Sequence, residues 1–148
     1  MERPVIKRSI CLLVVMTCGV MHANAKQGCP YASSVQLKEG RFQVRDGQLL
    51  WQSPKVKQLD FVSGFVGALF IPAQGQAREN GYVEKCIYRT NGDQVIALRY
   101  GGSEEVDSVS LTSSLHWRLA KDPFGQDVYI CDDSQPDNCS FTIDRSKR

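Results

Sequence analysis

Residues that signal chemistry are scarce in this 148-residue sequence. It holds 2 histidines, and one of them, His22, falls in the amino-terminal leader described below. No Gly-x-Ser-x-Gly turn presents a serine, no glycine-rich loop is placed to cradle phosphate, and no His-x-x-x-His or Glu-x-x-His spacing offers a metal site. Close Cys-x-x-Cys pairs are absent, which weighs against a four-cysteine zinc centre. No apolar run approaches the roughly 20 residues that a membrane-spanning helix needs. There is no internal repeat, no βαβ alternation, and no cluster of Lys and Arg that would track a phosphate backbone. Motif-borne enzymes, metal cofactors, membrane spans and nucleic-acid partners are thereby set aside.

What is present begins with an export signal. Arg3, Lys7 and Arg8 precede an apolar run over residues 10–21, which ends at the small-residue triplet Ala23-Asn24-Ala25 that signal peptidase requires. Cleavage after Ala25 leaves a mature chain starting at Lys26, a single domain over residues 26–148. A lipid anchor on Cys18 is the rival reading, and Thr17 is poorly suited to the position before an acylated cysteine. Without Arg3, Lys7, Arg8 and Glu2, the 18 basic and 16 acidic residues become 15 of each. A formally neutral domain argues against nucleic acid or an anionic membrane as the main partner. A protein, a glycan or a small molecule is the better expectation.

Cys11 and Cys18 leave with the signal, so Cys29, Cys86, Cys131 and Cys139 remain, an even set in an oxidising space. Four cysteines allow three connectivities. The preferred one joins Cys131 to Cys139 across a polar loop and Cys29 to Cys86, and chain entropy assigns these about 2.6 and about 4.2 kcal/mol before strain.

The pattern is that of an all-β domain, a small antiparallel sandwich or barrel stapled by two disulfides. Asn91-Gly92 predicts a two-residue type I′ hairpin turn between residues 82–90 and 93–100, pairing Tyr88 with Val95, Cys86 with Ala97 and Glu84 with Arg99. Residues 59–71 read as a central strand bent at Gly64 and Gly67 and closed by Pro72. Residues 40–51 read as a further hairpin turning at Asp46-Gly47. After a Ser- and Gly-rich connection over residues 101–114, in which Val106, Val109 and Leu111 could form a short strand, residues 115–119, 128–130 and 141–143 supply three more strands. A disordered tail is expected from Asp144 onward.

Candidate functional residues are few. His116, between Leu115 and Trp117, is expected to be structural rather than catalytic. Two acidic groups, Glu104, Glu105 and Asp107, and Asp132, Asp133 and Asp137, lack the alternation of a calcium loop and read as solvated. Trp51 and Trp117, with Tyr31, Tyr82, Tyr88 and Tyr129, are the candidate binding aromatics, although such residues often fill small β cores.

In order, Cys29-Pro30, Val35, Gly40-Arg41-Phe42, Trp51-Gln52-Ser53, residues 65–70, Cys86-Ile87-Tyr88, Trp117 and the closing Cys131 and Cys139-Ser140-Phe141 form a pattern covering nearly the whole mature chain. It resembles the family catalogued as domain of unknown function 3757, small exported proteins of Gram-negative bacteria. The chain departs from that pattern in Ser140, where proline is expected, and in a longer insertion over residues 74–80. The resemblance implies an exported domain and transfers no site. The expectation is therefore a periplasmic or secreted domain that is not an enzyme and uses no cofactor. It would bind a protein or glycan, as an inhibitor or immunity-type protein or as a glycan- or envelope-binding module. A hydrolase assembled only in three dimensions is the remaining alternative.

Overall fold

The structure is a computed structural model that describes residues 27–46, 49–57, 60–101, 108–112 and 115–144. The expected leader, the tail at 145–148, and Glu104, Glu105, Val106 and Asp107 lie outside these residues. Asp144, expected in a disordered tail, instead closes a strand.

Ten strands are described: β1 (Gln36–Lys38), β2 (Arg41–Asp46), β3 (Leu49–Lys55), β4 (Val62–Ile71), β5 (Tyr82–Thr90), β6 (Val95–Tyr100), β7 (Ser108–Leu111), β8 (Trp117–Lys121), β9 (Asp127–Asp132) and β10 (Phe141–Asp144). Eight of them form one sheet in the order β1-β2-β3-β6-β5-β4-β9-β8, while β7 and β10 form a separate ribbon. Every pairing is antiparallel. The sheet curls into a half-barrel. Its apolar face shares one core with the ribbon, since Phe42, Trp51, Phe70, Leu98 and Trp117 are buried together with Val109 and Phe141.

β4 is a strand, as its composition predicts, and its register shifts at Val62/Gly64, Phe65/Gly67 and Leu69/Phe70. One glycine is needed for close approach, because a Cβ on Gly67 would run into the carbonyl oxygen of Cys131 on β9. The insertion at residues 74–80 is not a free loop. Arg78 lies over the Tyr129 ring, 4.4 Å from its centroid, and donates to the Trp117 carbonyl at 3.2 Å, while the Arg78 carbonyl accepts from Leu111 N–H.

The β5–β6 hairpin forms, but its turn and register differ from the expectation. Thr90 N–H donates to Gln94 O and Asp93 N–H to Thr90 O, so three residues form the loop, and Cys86 faces Leu98 and Tyr88 faces Ile96. The left-handed residue is Asp93, at φ 64°, not Gly92. This is a type I turn followed by one left-handed residue. Asp60 reinforces it, its carboxylate accepting Gly92 N–H at 2.9 Å. Glu84 and Arg99 still meet, at 2.7 Å, although they are not directly opposed. The β8–β9 turn repeats the pattern with Gly125, at φ 80°, in the left-handed position and Asp122 N–H donating to Gln126 O. The two-residue turn with positive φ at both positions occurs instead at Glu39 and Gly40, φ 51° and 75°, between β1 and β2. The β2–β3 hairpin forms with Asp46 opposite Leu49, so Asp46 is a strand residue, and the turn itself lies outside the described residues.

Candidate functional site

Both expected disulfides are present: Cys29–Cys86, with Cα atoms 5.8 Å apart, and Cys131–Cys139, at 5.7 Å. Their effect is local as well as global, because each fixes an irregular segment against the sheet. The amino-terminal segment is held by Cys29, by the Tyr88 hydroxyl donating to Pro30 O, and by the two-way backbone bridge of Gln27 with Phe141 at 2.9 and 2.8 Å. The second segment is the 3-10 turn Pro136–Cys139, which the other disulfide ties to β9.

Where these segments meet the end of β2, they enclose a cleft of about 770 Å³. Gln27, Pro30, Tyr31 and Ser34 form one wall, Val44, Arg45 and Asp46 another, and Asp137 and Ser140 the third. The phenol of Tyr31 donates to the Asp137 carboxylate at 2.7 Å. That bond, with some burial and the Asp137 charge, raises the phenol above its ordinary pKa of 10.0, so Tyr31 stays protonated at neutral pH. Tyr31 as a residue remains 51% exposed. The Oε1 of Gln27 is buried without a hydrogen-bond partner among the described residues. Ser140 Oγ accepts from Thr112 at 2.9 Å, and among the described residues no histidine lines the cleft. The lining therefore offers donors, a cation, carboxylates and an aromatic ring suited to holding a ligand.

The two tryptophans do not serve as surface anchors. Trp51 is 1% and Trp117 2% exposed; alternation along β3 and β8 turns both rings into the core. Trp51 packs on Tyr100 with ring centroids 5.0 Å apart, and Trp117 Nε1 donates to the Ser140 carbonyl at 3.2 Å. Tyr88 and Tyr129 are also buried, whereas Tyr31 and Tyr82 are exposed.

His116 precedes β8 rather than lying on it, and its Nδ1 sits 3.3 Å from Asp133 Oδ2. Asp133 is held below the ordinary carboxylate range mainly by the Gln135 N–H, helped by the Asn138 amide and His116. The acidic residues between the last two cysteines diverge: Asp132 pairs with Arg118 at 2.8 Å, Asp133 with His116, and Asp137 with Tyr31. Among the described residues no three His, Cys, Asp or Glu side chains converge as a metal site, and no helix is long and apolar enough to cross a membrane.

Two structural disulfides are characteristic of proteins that fold in oxidising compartments. No curated protein and no solved structure matches the chain. The family described as protein of unknown function DUF3757 matches residues 24–142, and the chain belongs to that family.

Proposed function

We propose that the protein is an exported binding domain, working in the periplasm or outside the cell, with the cleft beside Tyr31 as its recognition site. The observation that carries this is the construction of the cleft: two irregular segments, each fastened by its own disulfide, are brought together by Tyr31 and Asp137. A preorganised cleft loses little entropy on binding, and about 770 Å³ is within the range of ligand clefts. An exposed, rigid tyrosine beside Arg45 suits a protein loop or a glycan as partner, in keeping with an inhibitor, immunity-type or envelope-recognition role.

A hydrolase is the second reading, favoured by the His116–Asp133 pair at 3.3 Å. Neither residue lines the cleft, and no described hydroxyl or thiol hydrogen-bonds to His116. Titration of a captured partner decides between the two. Tyr31→Ala should weaken binding by about 2 kcal/mol or more with melting unchanged; undiminished affinity would refute the cleft as the site.

A further inference from the structure

The formal neutrality expected of the mature chain conceals a segregation of charge that only the strand register shows. Lys38 on β1 lies directly opposite Arg41 on β2, and Arg41 lies directly opposite Lys55 on β3. Directly opposed like charges destabilise an antiparallel ladder, so this row of three runs against folding stability. Phe42 and Leu37 point into the core, which puts the alternating Lys38, Arg41 and Arg45 on the outer face.

Lys55 reaches that face through a bulge. Between the pairs Arg41↔Lys55 and Gln43↔Gln52 the β3 strand advances three residues while β2 advances two, and the extra residue reverses the alternation. In an unbroken ladder Lys55 would point with Trp51 and Ser53 to the core side. The bulge is stabilised by its own bonds, Phe42 N–H to Ser53 Oγ at 3.0 Å and Arg41 Nη1 to the Ser53 carbonyl at 3.0 Å. Among the described residues Lys38, Arg45 and Lys55 enter no ion pair, although Glu39 is exposed in the adjoining turn.

We infer that the outer face of β1–β2–β3 binds an anionic polysaccharide bearing carboxylates along its length. Strands about 4.8 Å apart spread the three cations over roughly 10 Å in a line, which suits a repeating anion better than a single phosphate. The row continues into a shallow basin of about 520 Å³ reaching Arg45, with the Gln36 and Gln43 amides between the cations to bond sugar hydroxyls. The outer face presents no aromatic platform on these strands for stacking bases, as single-stranded nucleic acid would require. The inference extends the binding reading to a face that adjoins the cleft and shares Arg45 with it. Its failure would leave the Tyr31 cleft untouched, since Lys38 and Lys55 do not line that cleft.

Calorimetric titration of the oxidised protein with polygalacturonate, with neutral dextran as control, tests it. Saturable binding to polygalacturonate alone is expected, weakening as salt screens the charges. The Lys38→Gln/Lys55→Gln variant should lose about tenfold or more in affinity while melting at the same or a higher temperature, because repulsion across the strands is relieved. Lys38→Glu, which sets a carboxylate opposite Arg41, should lose binding and melt higher still. Lys121→Gln, at the far edge of the sheet, should bind as the parent does. Absence of saturable binding, or equal affinity in the double variant, would overturn the inference. Equal binding to duplex DNA or to phosphatidylglycerol vesicles would overturn the assignment to a polysaccharide.

Discussion

Tyr31 and Asp137 stand 106 residues apart in sequence and are joined by a hydrogen bond of 2.7 Å from phenol to carboxylate. The bond links the segment anchored by Cys29 to the turn anchored by Cys139, so the cleft wall joins segments from opposite ends of the described chain. It also makes a spectroscopic signature. Tyr31 should ionise above the ordinary tyrosine value, and Asp137→Asn, which removes the charge and weakens the acceptor, should bring it down. Ultraviolet difference absorbance during alkaline titration reads this directly; an unchanged profile in the variant would show that the bond does not form.

The tryptophans provide a prediction of opposite character. Because Trp51 and Trp117 are core residues, Trp117→Ala or Trp51→Ala should cost about 3–5 kcal/mol, seen as a lower urea midpoint. A variant that kept its midpoint would contradict the burial of that ring.

The two three-residue turns can be told apart by substitution. Gly125→Val should cost about 1–3 kcal/mol, since valine is strained in the left-handed position. Gly92→Val should cost less, because Gly92 has no left-handed φ to strain and the new Cβ crowds a side chain, the Asp60 carboxylate 2.9 Å away, at the cost of its bond to the Gly92 N–H. Asp93→Gly should be tolerated, since glycine adopts φ 64° freely and the exposed Arg89–Asp93 pair contributes little. Thermal melting of the three variants gives the order, and a larger loss for Gly92→Val than for Gly125→Val would return the left-handed turn to Asn91-Gly92.

Acid stability should depend on Asp60. The N–H groups of Gly92 and Phe61, with the Thr90 hydroxyl, hold its carboxyl below the ordinary value. A carboxylate with a lowered folded pKa stabilises above its unfolded value, near 4, and that contribution is lost as pH falls through the folded value. Asp60→Asn should therefore flatten the fall in stability below about pH 4. A parallel pH profile in parent and variant would remove Asp60 from the acid limb.

Strand composition and cysteine position were legible in the sequence because both act locally or through counting. The bent β4, both disulfides, and the strands near Val128 and Phe141 follow from β-branched runs, glycines and an even cysteine set. Turn register was not legible at Asn91-Gly92, where Asp60, distant in sequence, accepts the Gly92 N–H and the loop takes a third residue. The β1–β2 turn was missed because Glu39 is a poor marker of a positive φ. Aromatic composition drew attention to Trp51 and Trp117, but alternation sends both inward, and the exposed ring in the cleft is Tyr31. Asp137 reads in the sequence only as part of a solvated acidic group and Arg45 carries no local signal, since only the folded chain brings them to the same cleft. The basic row likewise depends on a bulge in β3 that no spacing announces.

The most direct measurement is affinity capture from periplasmic extract and culture medium, run in parallel with the oxidised parent, Tyr31→Ala and His116→Ala, and read by mass spectrometry. Circular dichroism first establishes that each variant is folded. Recognition through the cleft predicts a partner retained by the parent and by His116→Ala and lost from Tyr31→Ala. If Tyr31→Ala keeps that partner, or if His116→Ala abolishes turnover of a substrate that Tyr31→Ala still converts, the cleft is not the working site and the hydrolase reading takes its place.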